Sequence, residues 1–471
     1  MKIAFPVAAG QTKTLNGMKI SRNLKPEQSR RKDEVSLAGS PKKHRLKLIP
    51  PKPYPRIKPL PPKRWTVLLY LAADNDLEPH ITRSLLELEK VGSTSEINFV
   101  AQLDRGEAKT VRKKVMDEQG RVSWLEEKAS NPHGALPEAN RYYLESGGNS
   151  QKLSSPVVER LGKTDSADYR VLRDFLSWGF ENYPAENYLV ILGDHGEGFR
   201  GGMRDDGSNS GMKLEEIKAA FLESEASAGV DKNRVILGFN ACFMGQVEVA
   251  YGLKDAARAM VASEETEDYG GWAYPAIFGR KKTAGSYNQE EMLAGIMDSV
   301  KHNGRNIITQ SVTELAEMEQ LKDSVDILAK AMLSSPEPAS LLRETLESAQ
   351  AYGQYLRPRS EFYGNFRDVY DVAEKFFNSE RIKDKQLKKA ALGVMKSVKK
   401  AVSAETHRST PLRRVEGAMP GHSQMAGDFR GSHGLTINAN YQRNLEGGYG
   451  RSDFAKDTMW FKALQRLREK D

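Results

Sequence analysis

The sequence predicts an α/β fold built on a mostly parallel sheet, and three observations carry that prediction. The runs WTVLLYLAA (65–73), INFVA (97–101), YLVIL (188–192) and VILGF (235–239) are short, continuous and apolar, as strands buried on both faces are. Stretches with apolar residues at helical spacing lie between them, the alternation that gives parallel strands joined by crossover helices. The length, 471 residues at 39% hydrophobic, supplies two or three domains' worth of chain and a sizeable core.

Taken in order, the first strand begins at Trp65 and ends at Asp74-Asn75-Asp76. Leu77, Ile81, Leu85 and Leu88 then mark a helix that Gly92 stops. Ile97–Asp104 is the second strand, and shorter strands are expected near Val122–Leu125 and Tyr142–Leu144. Asp165 is the expected N-cap of a helix carrying Tyr169, Leu172, Phe175, Leu176 and Phe180 on one face, closed by Pro184. Strands follow at Tyr188–Leu192 and Val235–Phe239, with a short helix around Leu214–Phe221 between them. A helix through Val247–Leu253, a strand in AMVASEETED and another in NIITQSVT complete the set. Beyond Val312 the periodicity is helical, over Leu315–Met332, Leu341–Leu356, Val369–Phe377 and Ile382–Val402. Residues 403–432 read as an exposed loop and HGLTINANY as a late strand. The expected organisation is a basic Pro-rich tail (1–64, disordered or a pro-segment), an α/β domain (65–312) and a mainly helical extension (313–471).

Several classes are excluded. No stretch reaches the roughly 18 uninterrupted apolar residues of a membrane span. A single cysteine, Cys242, excludes an intrachain disulfide framework and a Cys-based zinc cluster. The opening MKIAFPVAAGQTK has only a short apolar run, broken by Pro6, so no clear export signal is read and the default expectation is cytoplasmic. The net charge of +8 is unevenly spread: residues 1–64 hold 17 of the 71 Lys and Arg against 3 of the 63 acids, leaving 54 basic against 60 acidic residues elsewhere. The Pro/Lys tail reads as a solvated linker or pro-segment. It lacks the interleaved aromatics of a nucleic-acid arm, Tyr54 standing alone, so no nucleic-acid partner is expected.

In open α/β sheets, functional groups sit on loops leaving the carboxyl ends of strands. Two such loops carry unusual side chains: Asp194-His195-Gly196-Glu197-Gly198 and Asn240-Ala241-Cys242-Phe243-Met244-Gly245. If their strands are neighbours, His195 and Cys242 emerge at one edge. That pair is what nucleophilic cysteine chemistry requires, a sulfur to attack and an imidazole to handle protons. The backbone N–H groups of Gly196 and Cys242 would aim at a developing oxyanion, and a helix beginning just after Cys242 would lower its pKa. On pattern alone the alternative stands equal: a small buried thiol and a hydrogen-bonded loop histidine. Gly196–Gly201 also matches GxGxxG, but a loop rather than a helix follows it, which disfavours dinucleotide binding.

Four segments in order, WTVLLYLAADNDLE, FLSWGFENYPAENYLVILGDHGEGF, LGFNACFMGQVEVAYGLKD and VASEETEDYGGWAYP, resemble the clostripain-like cysteine peptidases of the caspase-like clan. The resemblance covers about Trp65 to Phe278. It implies a caspase-like α/β/α sandwich, peptide or protein substrates, and an endopeptidase working through a His195–Cys242 dyad and an acyl-enzyme. It also implies a substrate-binding role for position 240, where relatives carry the aspartate that attracts Arg or Lys at P1. Here Asn240 removes that charge, so basic specificity rests on whether Glu264, Glu265, Glu267 or Asp268 reaches the pocket. Some relatives use calcium, with Asp205 and Asp206 as candidate ligands, and some are zymogens cut between the His and Cys segments. The chemistry itself needs no cofactor. The rival reading is a non-catalytic interaction protein that keeps the fold. Relatives are often secreted, so the compartment stays open beside the cytoplasmic default, and oligomeric state is not legible.

Overall fold

The computed structural model describes residues 61–106, 110–116, 122–128, 138–147, 152–267, 270–279, 287–302, 309–353, 364–408, 428–441 and 446–469, and four short strands within residues 13–47. Those four strands, Lys13–Leu15, Met18–Ile20, Glu34–Leu37 and Leu46–Lys47, pair in sequence order within a unit of their own, Met1–Pro55. The rest of the expected tail up to residue 60 lies outside the described residues.

Arg56–Asp471 is a second unit, organised around a nine-stranded sheet. In chain order its strands are β1 (Lys63–Ala73), β2 (Ile97–Arg105), β3 (Ala139–Tyr143), β4 (Val157–Gly162), β5 (Ala185–Gly193), β8 (Val235–Asn240), β9 (Ala259–Ala262), β10 (Thr309–Glu314) and β13 (Val402–His407). A small hairpin, β6 (Gly202–Asp205) and β7 (Ser210–Met212), interrupts that numbering, as does a pair of short strands, β11 (Ala351–Tyr352) and β12 (Phe366–Asp368). Across the sheet the order is β4-β3-β2-β1-β5-β8-β9-β10-β13. The five central strands β2, β1, β5, β8 and β9 run parallel, and antiparallel strands close both sides.

The central strands are buried on both faces, which is why they read as continuous apolar runs. On one face Val67, Leu69, Leu189, Ile191 and Ile236 pack with Leu85 and Leu88 of α1 (Glu78–Glu89) and with Met292 and Ile296 of α5 (Gln289–His302). Each fully buried Leu or Ile there contributes roughly 1.5–3 kcal/mol relative to exposure. On the other face α2 (Tyr169–Asn182) lies close against β1: a Cβ on Gly179 would come within 2.3 Å of the Leu68 side chain. The result is an α/β/α sandwich.

Local differences from expectation have physical causes. Asp168, not Asp165, caps α2 by accepting from the Arg170 N–H, while Asp165 accepts from Ala167 N–H and the Ser210 hydroxyl. The short helix expected after Lys213 runs on as α3 (Leu214–Ala228) until Gly229 turns left-handed at φ +68°. The expected 403–432 loop begins as strand β13, a polar edge held to β10 by backbone hydrogen bonds, with little apolar signal to betray it. Strands from both sides of residue 313 therefore share one sheet. A further strand, β14 (Thr436–Asn438), pairs with β12 and reaches back to the core, donating Thr436 N–H to Gly245 O at 2.9 Å.

Candidate active site

Strands β5 and β8 are parallel neighbours in a register that pairs Gly193 with Asn240. His195 and Cys242 each lie two residues beyond that pair, so both loops leave the sheet at one level on its carboxyl edge. Their backbones touch: a Cβ on Gly196 would sit 2.2 Å from Cys242 O and 3.1 Å from Cys242 N. Only glycine permits that approach. Gly196 also faces Gly202 in an antiparallel bridge closed by Glu197 N–H to Gly201 O (2.8 Å) and Met203 N–H to His195 O (3.2 Å). In such a pair the N–H of Gly196 points away from the bridge, available to an incoming group.

The Cys242 loop is held from two sides. Phe243 N–H donates to Glu265 O (3.1 Å) and Gly245 N–H to Ser263 O (2.7 Å), so the segment after β9 runs alongside it. Phe243 is held at φ +60°, a left-handed conformation costly for a non-glycine residue. Its ring packs against Phe366 at 5.6 Å between centroids, which fixes that strained turn. Gln246, fully buried, ties this loop to the His195 loop by accepting from Phe199 N–H at 3.0 Å.

The strained turn corrects one expectation. Helix α4 (Val247–Gly252) starts at the expected residue, but the left-handed turn at Phe243 separates it from Cys242. The thiol therefore has no helix N-terminus beside it, and burial pushes its pKa up to about 12, with the carboxyl groups of Glu267, Glu265 and Asp194 adding to the rise. Cys242 as a residue keeps partial exposure, yet its sulfur sits in a protein-lined recess, and the sulfur's surroundings govern its proton. Sγ accepts from Glu267 N–H at 3.4 Å.

His195 is turned toward a residue that pattern reading passed over. Its Nε2 lies 2.8 Å from Asp76 Oδ1 on the turn after β1. That hydrogen bond outweighs burial and holds the Asp76 carboxyl down at about 2. Burial lowers the His195 pKa, but the Asp76 hydrogen bond and the Asp194 and Asp76 charges raise it above 6.5 overall. Asp194, buried, accepts from Asn75 Nδ2 at 2.8 Å and from Arg204 N–H, and burial lifts its pKa to about 7. The sequence marks Asp76 only as part of an acidic turn after an apolar run; the pairing of β1 beside β5 is what brings that turn to His195.

The remaining candidates separate clearly. Asn240, partly exposed, donates to Tyr274 OH at 3.2 Å, and Gly271 (φ +52°) lies against its amide. Asp268 lies outside the described residues. Glu264 and Glu265 point inward: Glu264 accepts from Tyr352 OH (3.0 Å) and Gly434 N–H (3.2 Å), and Glu265 accepts from Gly353 N–H (2.9 Å). Burial, reinforced by the neighbouring Asp368 carboxyl, raises Glu264; burial raises Glu265 to about 7. Glu267 accepts from Trp272 Nε1 at 3.4 Å, while its second carboxyl oxygen is buried without a hydrogen-bond partner among the described residues. The calcium candidates do not fit a cation. Asp205 is fully buried with its oxygens taken by Ser166 N–H and Oγ and by Ser208 N–H, and Asp206 pairs with Arg204 at 2.6 Å. Among the described residues no group of three His, Cys, Asp or Glu side chains is placed to hold a metal. An open polar cavity of about 400 Å³ lies between Gln350, Asp371, Glu374, Arg430 and His433, and neither His195 nor Cys242 lines it.

A family model described as the Clostripain family matches residues 69–466. The chain belongs to that family. It is 25% identical over 372 residues to clostripain of Hathewaya histolytica, spanning 69% of this chain and 67% of that one. In fold it is similar to a secreted C11 cysteine protease from Bacteroides thetaiotaomicron solved with an irreversible peptide inhibitor (TM-score 0.58, 17% identity, 85% of this chain and 99% of that one). It is equally similar to an inactive zymogen C11 protease from Parabacteroides distasonis (TM-score 0.58, 18% identity, 86% and 99%). The sandwich is thus the caspase-like fold of these proteases, and the chain is a cysteine-type endopeptidase acting on peptides or proteins. No helix among the described residues is long and apolar enough to cross a membrane.

Proposed function

We propose that this clostripain-family member hydrolyses peptide bonds with Cys242 as nucleophile and His195 as proton carrier. The observation that carries the reading is the shared register of β5 and β8, which sets both loops at one level with Gly196 against the Cys242 backbone. The Cys242 thiol passes its proton to the imidazole as Sγ bonds to the scissile carbonyl carbon. The oxyanion that forms is met by the N–H groups of Gly196 and Cys242. As the C–N bond breaks, the imidazolium returns the proton to the leaving amine. Water then attacks the acyl-enzyme, the imidazole taking its proton, and releases the acid and free thiol.

Asn240 and Asp268 are the proposed contacts for the P1 side chain. A neutral amide at 240, joined to Tyr274, suits a P1 residue that hydrogen-bonds without needing a countercharge. A basic P1 side chain would instead meet Glu267, the one of the three described acids with an unspent carboxyl oxygen. No metal enters the chemistry. The test is a fluorogenic peptide library scanned at P1, with and without calcium. Cleavage that disappears in Cys242→Ala and falls about 10²–10⁴-fold in His195→Ala supports the reading. Cleavage that survives Cys242→Ala ends it.

A further inference from the structure

The geometry points to Asp76 as the residue that positions the His195 imidazole and selects which of its nitrogens works; this rests on the His195–Cys242 chemistry proposed above. Two successive residues after β1 grip two successive residues after β5. Asn75 Nδ2 donates to Asp194 Oδ1 (2.8 Å) and to Arg204 O (2.9 Å), and Asn75 Oδ1 accepts from Leu77 N–H (2.9 Å). The backbone on either side of Asp76 is therefore pinned, and its carboxylate is delivered to Nε2 of His195 at 2.8 Å from a fixed turn.

A carboxylate only accepts, so Nε2 must carry a proton in every state of the ring that keeps this bond. The neutral ring then has its lone pair on Nδ1, which becomes the nitrogen that takes the Cys242 proton and later protonates the leaving amine. The positive ring formed in between lies beside a negative group, which favours it. The other charged groups facing the ring are Asp194, which acts in the same sense, and Arg204, which opposes it. Arg204 stands 3.9 Å from Asp76 Oδ1 but only 2.6 Å from Asp206, so its guanidinium is mostly engaged elsewhere. Asp76 itself is 60% exposed, so its replacement removes a partner without opening a core.

The experiment compares wild type, Asp76→Asn, Asp76→Glu and Cys242→Ala across pH on one good peptide substrate. An asparagine can turn its amide N–H toward Nε2 and so stabilise the tautomer with the proton on the wrong nitrogen. Asp76→Asn is expected to lower kcat about 10–10²-fold with KM within about threefold. The limb of the kcat/KM profile that reports His195 should move to lower pH. Asp76→Glu should restore part of the rate and move that limb back toward its wild-type position. Wild-type kcat in Asp76→Asn, or a loss of rate with the His195 limb unmoved in both variants, overturns the inference while leaving the dyad intact. Activity persisting in Cys242→Ala overturns the dyad and the inference together.

Discussion

The close approach of Gly196 to the Cys242 backbone gives the sharpest prediction. In Gly196→Ala the new methyl carbon would lie 2.2 Å from Cys242 O, where real Cβ contacts essentially never fall below 3.0 Å. The Cys242 carbonyl must therefore retreat by roughly 0.8 Å, and it cannot do so alone. Phe243 is held at φ +60° and bonded to Glu265, and Gly245 is bonded to both Ser263 and Thr436. The shift accordingly passes into the Cys242 N–H and Sγ. Misplacing a reacting group by about 1 Å costs on the order of 10²-fold in rate, while overpacking of this kind costs about 1–3 kcal/mol of stability. Steady-state kinetics should show kcat reduced about 100-fold, with a thermal transition lowered but still cooperative by calorimetry. A folded Gly196→Ala enzyme with wild-type kcat would refute the reading that the Gly196–Cys242 contact sets the reacting geometry.

Other consequences follow from charge. Asp104, Asp194, Glu248 and Glu265 are carboxyl groups that burial lifts to about 7, and His195 is raised as well. For each, the folded state binds the proton more tightly than the unfolded chain, so the stability it contributes is present at low pH and lost as pH rises through the folded pKa. The melting temperature should fall between pH 5 and pH 8; a rise over that interval contradicts these assignments. Asp76 has the opposite sign: held at about 2, it contributes above about 4 and loses that contribution only as pH falls toward 2. Asn240→Asp should raise the kcat/KM ratio of Arg over Gln at P1 at least tenfold, because a charge would then offset desolvation of the guanidinium. An unchanged ratio in the same peptide library would remove position 240 from the specificity pocket. Gln246→Ala should remove the buried acceptor of the Phe199 N–H and cost about 1–3 kcal/mol in denaturant unfolding, against no change if water replaces the amide.

The fold was legible because its central strands bury both faces, and an unbroken apolar run is the trace such strands leave in sequence. His195 and Cys242 were legible as candidates because each closely follows one of those runs. What stayed hidden depends on contacts between distant segments. Asp76 meets His195 across 119 positions, and nothing local in Asp74-Asn75-Asp76 distinguishes an imidazole partner from a strand-ending turn. The turn that separates Cys242 from the N-terminus of α4 was hidden because left-handed backbone at a phenylalanine contradicts local preference and exists only where tertiary packing enforces it. Glu264 and Glu265 read as candidates to reach the specificity pocket, yet they turn inward because segments 88 to 170 residues further along offer them donors. Strand β13 was missed for a different reason: an edge strand is held by backbone pairing, and SAETH supplies no apolar alternation to mark it.

The most direct test is to treat the protein with an irreversible peptidyl ketone and map the adduct by mass spectrometry, comparing wild type with His195→Ala. Labelling confined to Cys242, and slowed by orders of magnitude when the imidazole is removed, is the predicted outcome. An unlabelled Cys242, or equal labelling rates with and without His195, would contradict the account.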